Sequence, residues 1–197
     1  MGAVPGRSTR SLDIMDTKHL DELRAQLRRL SRVAPPQPWR AVATVAVGGL
    51  RAIGFDRTSE LLLVVSSSGR GVFDCASGTR VARDDEEYYE GERTLEAPGV
   101  GPLEGMTVRM SGLFGGGLPT MSADGWSIEV ITLDWPEKEV LLLPPKSNLF
   151  GTLYGRPPSI HKIASDSELR ACGFSYSGRS LVIATTSDLT IYGRHDG

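Results

Sequence analysis

The sequence predicts an all-β body of several short-stranded sheets preceded by one amphipathic helix, and three observations carry that prediction. Helical spacing of apolar residues is confined to the first 34 residues, and short β-branched runs punctuated by Gly, Ser and Asp fill the rest. Two groups of those runs also repeat one another at a fixed offset. The 23 glycines and 12 prolines fall mostly between the runs, as many short strands joined by many turns require. At 197 residues and 40% hydrophobic, the chain has the length and composition to bury an ordinary globular core.

Residues 1–14 have no periodicity and are expected to be a flexible leader. A helix is expected over 15–33. Asp16 or Thr17 can cap it, and Leu20, Leu23, Leu27 and Leu30 fall on one stripe. Its acidic residues come early and its arginines late, the order that complements the helix dipole. A single leucine stripe docks either on the rest of the chain or on a partner. Residues 34–38, Ala-Pro-Pro-Gln-Pro, end the helix and make a stiff linker. Residues 39–197 read as a single all-β domain. Strands are expected at 40–47, 51–55, 60–66, 71–74, 79–82, 106–110, 126–133, 139–143, 159–163, 169–174, 180–185 and 189–192.

The internal repeat is the strongest signal. Arg51-Ala52-Ile53-Gly54-Phe55 matches Arg170-Ala171-Cys172-Gly173-Phe174 at an offset of 119 (170 − 51). The match continues without gaps through Leu62/Leu181, Leu63/Val182, Val64/Ile183, Ser68/Ser187, Val72/Ile191 and Phe73/Tyr192. The later copy, GFSYSGRSLVIATTSDLTIYGR, resembles the inner strands of a WD-repeat or related β-propeller blade. The earlier copy, GFDRTSELLLVVSSSGRGVFDCASGTRVAR, resembles a whole blade, with Phe73-Asp74 where that family usually carries Trp-Asp. A more divergent third segment, LPTMSADGWSIEVITLDWPEKEVLLLP, has Asp134-Trp135 in reversed order, and the Gly-His dipeptide that opens many such repeats is absent.

The resemblance implies a small or incomplete propeller-like, or β-sandwich-like, body of three to four blade-like sheets. Residues 39–197 are short for a closed ring, which takes about 4–8 blades of roughly 40–45 residues. Residues 40–47 are therefore expected to supply the outer strand of the last sheet, pairing N-terminal with C-terminal strands. Such pairing closes a ring within one chain, unless two chains complete it or the body is sandwich-like.

The charge balance, 22 basic against 24 acidic residues, argues against a nucleic-acid-binding surface. No apolar run approaches the ~18 residues of a membrane helix. No apolar run follows the basic start as a secretory signal would, so a cytoplasmic location is expected, with Cys75 and Cys172 as reduced core thiols. His19, His161 and His195 lack Cys or His neighbours at ligand spacing, and no metal or other cofactor is expected. The segment 173–178 misses the nucleophile-elbow pattern, with Ser177 at a glycine position and a strand following. The glycine-rich segment 112–117 lacks the Lys-Ser/Thr of a phosphate loop, but carries Phe114 at its tip. Of Trp126 and Trp135, at least one is expected in the core.

No catalytic residue is nominated. The expected partner-binding residues are the consecutive acids Asp84, Asp85, Glu86 and Glu87, the adjoining Tyr88 and Tyr89, Phe114, and Phe150 and Tyr154 of a Gly/Pro-rich loop that also holds Lys146 and Arg156. Four consecutive carboxylates must be solvated or neutralised by a cation, and tyrosines beside them add flat contact area favoured at interfaces. The function expected is an intracellular protein-binding or scaffold module, of an immunity- or inhibitor-like kind, acting as a monomer or homodimer. The alternative is an enzyme or small-molecule sensor with a pocket at the centre of a ring.

Overall fold

The computed structural model describes residues 18–88, 93–151 and 159–194; the expected leader, Tyr89, Tyr154 and His195 lie outside them. Strands dominate. A helix, α1 (Lys18–Arg29), precedes β1 (Trp39–Ala46), β2 (Leu50–Phe55), β3 (Leu61–Ser66), β4 (Gly69–Asp74) and β5 (Thr79–Asp84). Then come β6 (Glu96–Pro98), β7 (Thr107–Arg109), β8 (Ser111–Gly112), β9 (Ser127–Ile131) and β10 (Lys138–Leu143). The last four are β11 (His161–Asp166), β12 (Leu169–Phe174), β13 (Ser180–Thr185) and β14 (Asp188–Arg194).

The 119-residue repeat is visible in the backbone. β2, β3 and β4 begin at residues 50, 61 and 69, and β12, β13 and β14 at 169, 180 and 188. The same irregularity recurs in each copy, between Leu50 and Ala52 and between Leu169 and Ala171. The first copy forms the sheet β5-β4-β3-β2-β8, and the second forms β1-β14-β13-β12. β1 therefore takes in the second sheet the outer place that β5 takes in the first, with Trp39 opposite Arg194 and Ala46 opposite Asp188. This is the expected pairing of N- and C-terminal strands.

A third sheet runs β11-β10-β9, and β6 and β7 form a two-stranded sheet. Beside β9, the Ile128 amide donates to the Thr120 carbonyl at 2.8 Å, so residues 120–122 flank that sheet irregularly.

Side chains alternate between cores along each central strand, as the two-residue period of a strand requires. In β13, Val182 and Ala184 face the first-copy sheet, sharing a core with Leu62 and Val64. Leu181 and Ile183 face the third sheet, sharing a core with Val140 and Leu142. In β10, Leu141 and Leu143 face α1 and meet Leu27. In β3, Leu63 and Val65 face the β6–β7 side and meet Ala97 and Val108. The layers thus follow one another as α1, third sheet, second copy, first copy, β6–β7. Among the described residues no core cluster joins α1 to β6–β7, and no closed ring is seen.

Because each of the three larger sheets buries both faces, one strand inside each carries a continuous buried apolar run without polar alternation: 62–65 in β3, 181–184 in β13 and 140–143 in β10. Trp39 at the start of β1 is 1% exposed, packed edge-on to Trp126 and tilted against Phe174. Trp126 is buried and Trp135 exposed, so one of the two tryptophans is core. Cys75 and Cys172 are free thiols packed into separate cores.

α1 ends at Arg29, short of the expected residue 33. Beyond it the Val33 amide donates to the Lys162 carbonyl of β11 at 2.9 Å, a sheet-edge bond that a continuing helix would forgo. Arg28 grips Asp134 with both sides of its guanidinium fork, at 3.3 and 3.1 Å, and ties the helix to the loop after β9. No helix among the described residues is long and apolar enough to cross a membrane.

Gly54 and Gly173, matched by the repeat, have one steric reason. A Cβ on Gly54 would overlap the Arg109 carbonyl oxygen, and one on Gly173 would overlap the Leu118 side chain and the Pro119 carbonyl oxygen. β2 and β12 are thus each crossed at the glycine by another segment of chain, a later one (108–110) at Gly54 and an earlier one (118–119) at Gly173. Gly54→Ala and Gly173→Ala are each expected to destabilise the fold by about 1–3 kcal/mol, the usual cost of overpacking. Gly48→Ala, where a Cβ meets nothing within 4 Å, should be near neutral. Urea unfolding of the three variants checks this, and equal midpoints would refute the close approach.

Candidate functional site

The acidic run begins where β5 ends, and the fold neutralises its first half. Arg70 of β4 stands directly opposite Asp84 in register and binds its carboxylate through Nε at 3.1 Å and through Nη2. The Glu86 amide donates to the other Asp84 oxygen at 2.9 Å. These bonds, the amide first and Arg70 next, hold the Asp84 carboxyl below the usual carboxylate range. Arg70 also donates to the Pro98 carbonyl at 3.2 Å and lies 5.2 Å over the Tyr88 ring. Asp85 pairs with Arg83, and Glu86 and Glu87 stand at the surface. The run is therefore two arginine-paired aspartates followed by two exposed glutamates, rather than four equivalent carboxylates.

Phe114 sits at the tip of a tight loop in which the Gly112 amide donates to the Gly115 carbonyl at 2.9 Å and Gly115 donates back at 3.1 Å. Gly115 and Gly116 have φ of +115° and +86°, a region that favours glycine. The loop is pinned by the Leu113 amide on the Arg51 carbonyl at 2.8 Å, and the Arg51 guanidinium lies 5.8 Å over the Phe114 ring.

The structure brings Tyr88 and Phe114 together. They line one small apolar hollow of about 30 Å³ floored by Ala52, Val65, Ala97 and Met110. At Leu95 and Glu96 this hollow adjoins a groove of about 630 Å³ lined by Arg57, Met106, Arg109 and Tyr176. Leu113, Phe114, Met106 and Tyr176 are 43–50% exposed, so large apolar side chains reach the surface at both depressions. Phe150 is not part of this surface. Its neighbour Leu149 packs with Leu141 and Leu143 under α1, at the other end of the row of layers. Tyr89 and Tyr154 lie outside the described residues.

A third depression, about 330 Å³, lies at the seam between the two repeats, lined by Arg40, Glu60, Cys75, Arg179, Ser180 and Arg194 among others. The Ser177 and Ser180 hydroxyls donate to the two Glu60 oxygens and tie the second copy to the first. Arg194 is held by Asp124 and lies 5.2 Å over the Trp39 ring, and its Nε is buried without a partner. Burial is the largest influence on Cys75 and pushes its thiol far up, with Glu60 and Asp74 adding to the rise, which disfavours the thiolate. Burial likewise pushes Cys172 up to about 12.

Sequence reasoning missed the groove and the seam. Arg57, Arg109 and Tyr176 stand singly in turns or strand ends, without a motif. For the seam a signal existed, because the offset of 119 aligns Glu60 with Arg179 and Cys75 with Arg194. Among the described residues no group of three or more His, Cys, Asp or Glu is placed to hold a metal ion. No protein-family model matches the chain, and no curated protein matches it.

Three aspartates tie turns and layers together in their charged form. At Asp56, burial favours the neutral acid but is outweighed by hydrogen bonds from Ser59 and Thr58. At Asp124 the Arg194 hydrogen bond is the largest cause, and Asp84 is described above. All three carboxyls lie below their ordinary value, so the stability they contribute is complete above about pH 4 and is lost as pH falls through the lower folded values. The thermal midpoint should therefore be flat from about pH 7 to 5 and fall below about pH 4. Asp124→Asn should have a lower midpoint at neutral pH and a shallower fall in acid. A constant offset from wild type across the whole range would refute the assignment.

Proposed function

We propose that the chain is a protein-recognition module, acting as a scaffold or stoichiometric inhibitor, and that its body is an open, propeller-like array of blade-like sheets. The blade reading is supported by the strand-for-strand agreement of the two repeats, each with a fourth strand on its outside. The recognition reading rests on one observation. The hollow of Tyr88 and Phe114 and the groove of Met106 and Tyr176 share Leu95 and Glu96, and between them they present aromatic, Met and Arg side chains. Aromatic residues, Met and Arg are the types enriched where proteins meet. Glu86 and Glu87 stand beside Tyr88 at one end of this surface.

The occupant that fits is a partner segment with an aliphatic or aromatic anchor in the groove and a basic residue toward Glu86 and Glu87. The second reading, a small-molecule pocket, has support in the arginine-lined depression at the seam.

Panning a random peptide library on the immobilised full chain tests the proposal. The enriched peptides should share an apolar anchor flanked by Lys or Arg. Phe114→Ala and Tyr176→Ala should each weaken the best peptide about tenfold or more, the loss of roughly 1.4 kcal/mol at a contact residue. Reversing Glu86 and Glu87 to Lys should weaken it mainly at low salt. No shared pattern, or peptide binding indifferent to Phe114 and Tyr176, would overturn the proposal.

A further inference from the structure

Among the described residues, Leu95 and Lys146 are the non-glycine residues with a positive φ, at +56° and +67°. Lys146 is exposed and is explained by its turn, which the Ser147 amide closes on the Pro144 carbonyl at 3.1 Å. Leu95 has no such explanation. A leucine is strained in the left-handed region, where glycine or asparagine would serve the backbone at less cost. Strained residues persist only where the surrounding structure holds them, and they cluster at ligand contacts. Here the Leu95 carbonyl accepts the Met110 amide at 2.7 Å, and Glu96 pairs with Arg109 directly after it. These bonds fix the conformation without requiring a leucine.

Core packing does not require one either. Leu95 is half-buried, yet among the described residues it belongs to none of the four core clusters, whereas Ala97 two residues later does. Leu95 instead lines both the hollow of Tyr88 and Phe114 and the groove of Met106 and Tyr176, a place it shares with Glu96 alone. The two depressions are unequal, about 30 Å³ and about 630 Å³. The hollow, floored by Ala52, Val65, Ala97 and Met110, has room for a small side chain, and a polar group buried there would lose its hydration uncompensated.

We propose that Leu95 is a specificity-determining divider between two subsites. The partner it selects is a segment with two apolar anchors of unequal size, a small aliphatic one for the hollow and a large aliphatic or aromatic one for the groove. This deepens, and rests on, the protein-recognition surface proposed for the chain. Glu86, exposed two residues before Tyr88, sets the polarity, so the basic residue of the segment lies on the side of the small anchor.

Peptides enriched on the immobilised full chain test the assignment. They should have two apolar positions, the one nearer the Lys or Arg confined to Ala, Val or Pro and the other open to Leu, Met, Phe or Trp. By calorimetry, wild type should bind the best peptide about tenfold or more tighter than its derivative with Phe at the small position. Leu95→Gly should lose that discrimination and unfold in urea at the wild-type midpoint or above, because glycine fits the positive φ. Leu95→Asn, which tolerates the left-handed turn without the apolar bulk, should lose it too. Leu95→Ala keeps the strain and should unfold below Leu95→Gly. Peptides that need Phe114 and Tyr176, but whose size preference survives both Leu95→Gly and Leu95→Asn, would overturn the divider and leave the recognition surface standing. A single anchor position, or equal midpoints for Leu95→Ala and Leu95→Gly, would do the same. A library with no shared pattern would overturn both proposals. Self-association of the chain that Phe114→Ala abolishes would put a second copy in place of the segment and so also overturn the assignment.

Discussion

The pairing of β1 with β14 is the contact on which the other layers depend, because one strand joins residues from the two ends of the described chain and feeds two cores at once. Trp39, at the start of β1, fills the core between the second copy and the third sheet. Val42 and Val45, further along the same strand, pack against the core between the two copies. Fully burying a tryptophan is among the larger single contributions a core receives, with Trp→Ala changes costing roughly 3–5 kcal/mol. Without β1, the hydrogen-bonding edge of β14 would be bare, and exposed edges of this kind invite pairing with other chains. The entropic cost of so long a closure grows only with the logarithm of loop length, so a strand with two buried anchors can offset it. The placement of α1 follows from the same contact. The linker leads directly into Trp39, so the helix is held close to the third sheet, where Leu23, Leu27 and Leu30 cover Leu141 and Leu143.

The double-sided burial of the three larger sheets explains which features could be read from the sequence and which could not. Runs such as Leu61–Ser66 and Ser180–Thr185 are apolar without alternation, so their extents were legible within a residue or two. The same continuity erases any mark of which residue faces which neighbour, so the order of layers had to come from the three-dimensional contacts. The repeat was legible because both copies meet the same steric demand at Gly54 and Gly173. β6 and β8, of three and two residues, are too short to leave a periodic trace. The end of α1 was misplaced because the competing interaction, Val33 on the edge of β11, is tertiary.

At the candidate sites, residue type was legible and neighbourhood was not. Tyr88 and Phe114 stood out by the acids and glycines around them, but only the folding of the 112–115 loop against β2 puts them in one hollow. The acidic run was visible as a run, whereas the seating of its first member depends on Arg70 lying in register with Asp84. Phe150 looked equivalent to Phe114 in sequence, yet its loop belongs to the helix-covered end of the molecule. The seam arginines escaped notice because each is an ordinary charged residue near a strand end. Their meaning lies in comparing the two copies position by position.

The repeat also sets how the two depressions near these turns are related. The turn between β2 and β3 gives Asp56 and Arg57 to the groove and Glu60 to the seam. The equivalent turn between β12 and β13 gives Tyr176 to the groove and Arg179 to the seam. Arg57 lies 5.5 Å over the Tyr176 ring, joining equivalent positions of the two copies on the groove side. Ser177 and Ser180 bind Glu60 on the seam side. The two turns therefore form one wall with a different surface on each flank, locked by a cation–π contact on one and charge-assisted hydrogen bonds on the other. Surface loops ordinarily move more than the strands they join. Cross-bracing between copies restrains these two, so both depressions have a preorganised side and a ligand on either flank need not order it. The duplication thus supplies more than stacked sheets: it places two like turns side by side, and their differences in side chain give each flank its own lining, Asp56, Arg57 and Tyr176 toward the groove and Glu60 and Arg179 toward the seam.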